Sequence, residues 1–85
     1  SADELQSFGT SKNREALEKN LSKLILCVEM ENWEKAEGFM ETVRQLTLKA
    51  PREVGRMVLR LKMAIQKEDY EKTASSFEEL KAYLQ

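Results

Sequence analysis

The sequence contains no histidine and only one cysteine among its 85 residues. Metal sites built on pairs of these residues, Ser-His and Cys-His nucleophiles and imidazole acid–base catalysis are therefore excluded, as is a disulfide within the chain. The sequence also lacks a glycine-rich phosphate loop, a Glu-x-x-His motif and a nucleophile elbow. We expect a protein that is not an enzyme and that holds no metal or cofactor.

An excess of charge of one sign is also missing, because 14 Lys and Arg residues face 15 Asp and Glu residues. Nucleic acids and anionic membranes are bound through excess positive charge, so neither is an expected partner. The longest purely apolar run, Leu24 to Val28, has five residues and is too short for a transmembrane helix or a signal peptide. We therefore expect a cytoplasmic chain whose partner is another protein.

Helical periodicity is the main feature that the sequence does have. From residue 17 onward, apolar residues recur at spacings of three and four, and no window alternates at a period of two. Asn32 and Asp69 are placed to cap helices, and Pro51 suits the first position of another helix. This pattern predicts an all-α fold of four helices, at about residues 12–30, 33–48, 51–67 and 70–84.

The short connections between these helices predict that neighbours run antiparallel, in an up-down-up-down four-helix bundle. The bundle domain is expected over residues 12–85, after a flexible tail or tag remnant over residues 1–11. Because the chain starts at Ser1 rather than Met, we expect a domain taken from a longer protein.

An internal repeat relates the two halves of the chain. A shift of 37 residues places residues 24–28 over 61–65 and Asn32-Trp33 over Asp69-Tyr70. Two interpretations stay open: a duplicated helical hairpin, or the capped aromatic that amphipathic hairpins commonly carry. Trp33 and Tyr70 either close their hairpins by packing on the preceding helix, which we favour, or contact a partner.

A basic stripe, Lys49, Arg52, Arg56 and Arg60, follows the spacing i, i+3, i+7 and i+11 and so lies on one helix face. It is either a solvated face paired with glutamates of neighbouring helices or a docking surface for an acidic protein partner. Gly38 falls inside the second predicted helix, where it costs about 1 kcal/mol relative to Ala. We expect it to permit a close approach between helices.

Residues 20–85 resemble the histidine-containing phosphotransfer domain of two-component signalling. Domains of that family are four-helix bundles in which a solvent-facing histidine begins an H-x-L-K run, often about eight residues after a capped aromatic. Eight residues after Trp33, this chain has Glu41-Thr42-Val43-Arg44. Glu41 stands where the phosphorylated histidine belongs, and Pro51 replaces the glycine that usually follows.

The resemblance implies a non-catalytic pseudo-phosphotransfer module, because a carboxylate cannot form the phosphoramidate that imidazole forms. It also implies docking to a protein partner such as a receiver domain through the first and second helices, around Glu41 and Arg44. This surface competes with the basic stripe as the predicted partner-binding site.

The alternative is a structural or dimerisation domain of a larger protein, built of hairpins similar to tetratricopeptide repeats. That family carries an aromatic, an Ala and a large apolar residue, as in Trp33 and Ala36 followed by Met40. Three apolar residues lie off the main stripes, and an exposed cluster of them would favour a homodimer: Phe39, Leu48 and Leu59.

Overall fold

The computed structural model describes residues 8–85. Within this range the regular structure is helical, without any strand, and the all-α prediction of four helices is confirmed. The helices are α1 (Ser11–Glu29), α2 (Trp33–Leu46), α3 (Arg52–Gln66) and α4 (Tyr70–Leu84).

Two predicted caps set the first residues of α2 and α4. The Asn32 side-chain oxygen accepts a hydrogen bond from the Lys35 amide at 3.2 Å, and that of Asp69 accepts one from the Lys72 amide at 3.0 Å. Each bond satisfies an amide that the first helical turn leaves without a partner.

Pro51 occupies a different position from the one predicted. It is the N-cap of α3, with an extended ψ of 153°, and Arg52 is the first helical residue. The fixed φ of proline suits both positions. The backbone N–H that proline lacks would have no hydrogen-bond partner within the helix at either position, so the sequence alone does not distinguish them. The side chain of Pro51 forms no capping hydrogen bond, so α3 begins without one.

A left-handed residue ends both α1 and α3. Glu31 has a φ of 57° and Glu68 a φ of 52°. The amide that follows each of them reaches back to the last turn, from Asn32 to the Cys27 carbonyl at 2.8 Å and from Asp69 to the Ala64 carbonyl at 3.0 Å. Each three-residue connection therefore terminates one helix and caps the next.

The buried positions of the first helix pair, α1 and α2, recur in the second pair, α3 and α4, after the 37-residue shift. α1 packs mainly on α2 and α3 mainly on α4, with smaller contacts between α2 and α3 and between α1 and α4. The equivalent buried residues are Leu17 and Val54, Leu21 and Val58, Leu24 and Leu61, Val28 and Ile65, Ala36 and Thr73, Met40 and Phe77, and Val43 and Leu80.

The first-turn aromatics of the two pairs are less alike than their cores. Trp33 is half-buried and packs against the core, as the hairpin-closing interpretation predicts. Tyr70 is 49% exposed. The repeat therefore preserves which positions are buried and how the turns are built, whereas the first-turn aromatics of the two pairs differ in exposure.

The predicted boundary between the tail and the bundle, after residue 11, lies close to the start of the described range. Of the predicted tail over residues 1–11, residues 1–7 lie outside the part that the structure describes. Phe8 packs against the core, and Thr10 caps α1 by accepting a hydrogen bond from the Asn13 amide at 3.2 Å. Among the described residues, no helix is both long and apolar enough to cross a membrane.

The expected role of Gly38 is wrong. Apart from its chain neighbours and the backbone of α2 itself, a Cβ added at this residue would meet no atom within 4 Å, and the residue is exposed. No neighbouring helix approaches it, so the fold gains nothing from the missing side chain.

We expect Gly38→Ala to raise the free energy of unfolding by about 1 kcal/mol, because alanine fits the open space and loses less backbone entropy on folding. Urea denaturation monitored by circular dichroism would measure the change. Glu37→Ala, an exposed neighbour, is the control and should shift stability by less than about 0.5 kcal/mol. A destabilised Gly38→Ala variant would contradict the open environment of this residue.

Candidate protein-docking surface on the second and third helices

Glu41 and Arg44 form a bidentate ion pair on the exposed side of α2. The Arg44 Nε donates to Glu41 Oε2 at 3.0 Å, and the Arg44 Nη2 donates to Glu41 Oε1 at 2.8 Å. Gln45 Nε2 donates a third hydrogen bond to Oε1 at 3.1 Å. Three hydrogen bonds from two residues about one turn further along α2, Arg44 and Gln45, therefore hold both carboxylate oxygens of Glu41.

These contacts change the acidity of Glu41. The Arg44 hydrogen bonds, then the Gln45 hydrogen bond and the nearby Arg44 and Lys62 charges, lower its pKa from the ordinary 4.5 to about 2. The same pair raises the pKa of Arg44. Both side chains are therefore charged throughout the physiological pH range.

The basic stripe divides into a paired and an unpaired part. Arg60 forms an ion pair with Glu79 of α4, as the solvated-face interpretation predicts. Lys49, Arg52 and Arg56 are exposed and form no ion pair with any residue between 8 and 85. Their charge is thus left open to solvent beside the first turns of α3.

An open groove of about 390 Å³ lies between the end of α2 and the first half of α3. We call it the α2–α3 groove; its lining residues are Arg44, Thr47, Leu48, Gly55, Val58, Leu59 and Lys62. Leu48 is 60% exposed and Leu59 is 53% exposed. The Thr47 hydroxyl is already satisfied, because it donates to the Val43 carbonyl at 2.9 Å.

The groove brings the two predicted docking surfaces together. Arg44 belongs to the Glu41–Arg44 pair and lines the groove from α2. On α3, Arg52 and Arg56 are helical neighbours of Gly55 and Leu59, which form the opposite wall. The two surfaces that the sequence presents as competitors therefore adjoin in the folded chain.

Gly55 and Lys62 line the groove but belong to neither of the docking surfaces predicted from the sequence. A signal for them existed, because residues 55, 59 and 62 are spaced i, i+4 and i+7 and so share one face of α3. Nothing in that spacing indicates that α2 leaves this face open.

The three apolar residues that lie off the main stripes separate into two places. Leu48 and Leu59 share the α2–α3 groove. Phe39 is half-buried, and the Lys23 Nζ of α1 lies 5.8 Å from the centre of its ring. An exposed cluster of all three residues is not formed.

Comparison with known proteins finds no matching family model, no matching curated protein and no matching solved structure. The resemblance to phosphotransfer domains therefore stays a prediction, resting on the residues around Glu41.

We expect the Glu41 carboxyl to titrate with a midpoint near pH 2, followed by carboxyl ¹³C chemical shifts. Because the folded-state pKa lies below the ordinary one, the stabilisation from this pair is complete above about pH 4.5 and is lost as the pH falls toward 2.

Arg44→Gln should move the Glu41 midpoint upward toward 4.5, since it removes the largest cause of the shift. Arg52→Gln, which removes a cation that Glu41 does not contact, is the control and should leave the midpoint unchanged. A wild-type midpoint near 4.5 would contradict the ion pair.

Proposed function

We propose that the chain is a non-catalytic protein-interaction module, a pseudo-phosphotransfer domain that docks a receiver domain in two-component signalling in the cytoplasm. The observation that carries the proposal is the Glu41–Arg44 ion pair, because Glu41 stands where the resemblance expects the phosphorylated histidine. The domain is proposed to be regulatory, with docking as its activity.

The proposal includes an up-down-up-down arrangement of the four helices. Connections of three residues join α1 to α2 and α3 to α4, which suits antiparallel neighbours. The Arg14 Nη2 near the start of α1 donates to the Leu84 carbonyl at the end of α4 at 2.9 Å. This bond supports an antiparallel placement of α1 and α4.

The chemistry of Glu41 favours docking over catalysis. A general base works best when its pKa lies near the working pH, whereas the pKa of Glu41 is about 2. Both of its oxygens already accept hydrogen bonds from Arg44 and Gln45, so the carboxylate is also a poorly available nucleophile. A charged, rigid pair of this kind suits recognition.

The charge beside the pair supports an acidic partner. Lys49, Arg52 and Arg56 have no ion-pair partner among the described residues, so their field extends into solvent. Receiver domains meet this requirement, because they carry an acidic pocket. Unpaired cations would steer that pocket toward the module at long range.

A structural or dimerisation domain with tetratricopeptide-like hairpins is the second candidate. It is favoured by the exposure of Leu48 and Leu59, which share one groove. Sedimentation equilibrium separates the candidates, because a stable dimer would have twice the 9.9 kDa mass of the chain. A dimer that Leu59→Glu dissociates would favour this candidate.

We expect the chain to remain unlabelled when it is incubated with a receiver domain carrying radioactive phosphate. No histidine is present to accept the group, and Glu41 is engaged by Arg44. Gel autoradiography at neutral pH, without acid treatment, would measure transfer, and an intact phosphotransfer domain is the positive control. Acid-labile label on the chain would contradict the pseudo-phosphotransfer proposal.

Charge reversal should weaken docking to a panel of purified receiver domains measured by isothermal titration calorimetry. We expect Arg44→Glu and Arg52→Glu/Arg56→Glu each to lower affinity by about tenfold and to flatten its salt dependence. Lys72→Glu/Lys81→Glu, an exposed pair on α4 with the same charge change as the double variant, is the matched control and should bind as the wild type does.

Circular dichroism would establish that each charge-reversed variant is folded. Failure of the wild type to bind any receiver domain would overturn the receiver part of the proposal. Binding that survives both reversals would overturn the proposed docking surface.

A further inference from the structure

Gly55 is a costly residue that the fold does not require. It lies inside α3, where glycine is about 1 kcal/mol less favourable than alanine. Apart from its chain neighbours and the backbone of its own helix, a Cβ at this position would meet no atom within 4 Å, and its φ is not positive. Neither helix packing nor backbone conformation therefore explains the missing side chain, and the space it leaves belongs to the α2–α3 groove.

The walls of the groove combine exposed apolar surface with positive charge. Leu48 and Leu59 present side chains that are 60% and 53% exposed. Lys62 and Arg44, the latter ion-paired with Glu41, line the groove, and none of its lining residues is acidic. Arg52 and Arg56, which form no ion pair among the described residues, lie on α3 next to the face that forms the groove wall.

The dimensions of the groove suit a short helical segment. From Gly55 to Lys62 the α3 wall advances seven residues, or about 10 Å, which matches about two turns of a helix lying alongside. Helices that dock into apolar grooves use residues spaced i, i+3 or i+4, and i+7 as anchors. The absent Gly55 side chain would let the backbone of such a helix approach α3 closely.

We propose that the α2–α3 groove binds an acidic amphipathic helix of a protein partner. Its apolar residues would lie against Leu48 and Leu59 and pass over Gly55, and its carboxylates would face Arg52, Arg56 and Lys62. This inference rests on the proposal that the chain is a protein-interaction module, and it adds the chemistry of the segment that is bound.

Other occupants fit these features less well. A nucleic acid would leave Leu48 and Leu59 without apolar contacts, and the net charge of −1 opposes phosphate binding. Two copies of the chain joined groove to groove would bring like charges together at Arg52 and Arg56. An acidic helix satisfies both the apolar surface and the unpaired cations.

A peptide selection tests the proposal with the intact chain. A displayed library of random peptides of about 16 residues, some four helical turns, is selected on the wild type and counter-selected on the bare support. We expect the enriched peptides to carry an excess of Asp and Glu and apolar residues at spacings of three and four. Fluorescence anisotropy then measures the affinity of synthetic copies.

Two matched pairs of variants locate the binding site. Gly55→Leu fills the groove and should weaken binding at least about tenfold, whereas Gly38→Leu, an equally open helical position on α2, should not. Leu59→Glu places a negative charge in the groove and should have a similar effect. Its control is Leu26→Glu on α1, where the side chain is 58% exposed.

The outcomes separate this inference from the proposed receiver docking. The acidic-helix proposal is overturned if no peptide is enriched or if the enriched peptides are neutral or basic. It is also overturned if the enriched peptides bind Gly55→Leu as tightly as the wild type while Gly55→Leu keeps wild-type helicity. A dimer that Gly55→Leu dissociates would also overturn it, in favour of a second copy. If acidic peptides are selected and no receiver domain binds, the acidic-helix proposal for the groove stands and the receiver-domain proposal is overturned.

Discussion

The rest of the structure depends on a turn that occurs twice, at Glu31-Asn32 and at Glu68-Asp69. In each turn a left-handed glutamate ends one helix, and the next amide returns to a carbonyl of that helix. The side chain of the same Asn or Asp then caps the following helix. Because a single residue serves both helices, their ends are held at a fixed distance, and seven equivalent buried positions can recur in both pairs.

The connection between the two pairs is built differently, and the open surface lies there. Five residues separate α2 from α3, and the Pro51 side chain gives α3 no capping hydrogen bond. α2 packs less extensively on α3 than on α1. Two strongly joined helix pairs therefore meet along a weaker contact, where Leu48 and Leu59 remain exposed and the α2–α3 groove forms.

The sequence predicts the parts of this fold that depend on local chemistry. The starts of α2 and α4 follow from Asn32 and Asp69, because the capping hydrogen bond spans only three residues. The groove could not be predicted in this way, since Leu48 and Leu59 are 11 residues apart and meet only through helix packing. The same limit applies to Gly38, whose surroundings depend on where the other helices pass.

The ion pairs indicate which charges the fold uses and which it leaves unpaired. Arg60 is paired with Glu79, and Arg44 with Glu41, so these cations serve contacts within the chain. Arg52 and Arg56 have no such contact among residues 8–85, although acidic residues are as numerous as basic ones in the whole sequence. Natural sequences depart from local consistency chiefly at functional or strained sites. Three such departures coincide beside this groove: unpaired arginines, exposed leucines and a helical glycine that no contact within the chain requires. The acidic helix proposed for this groove would make use of all three.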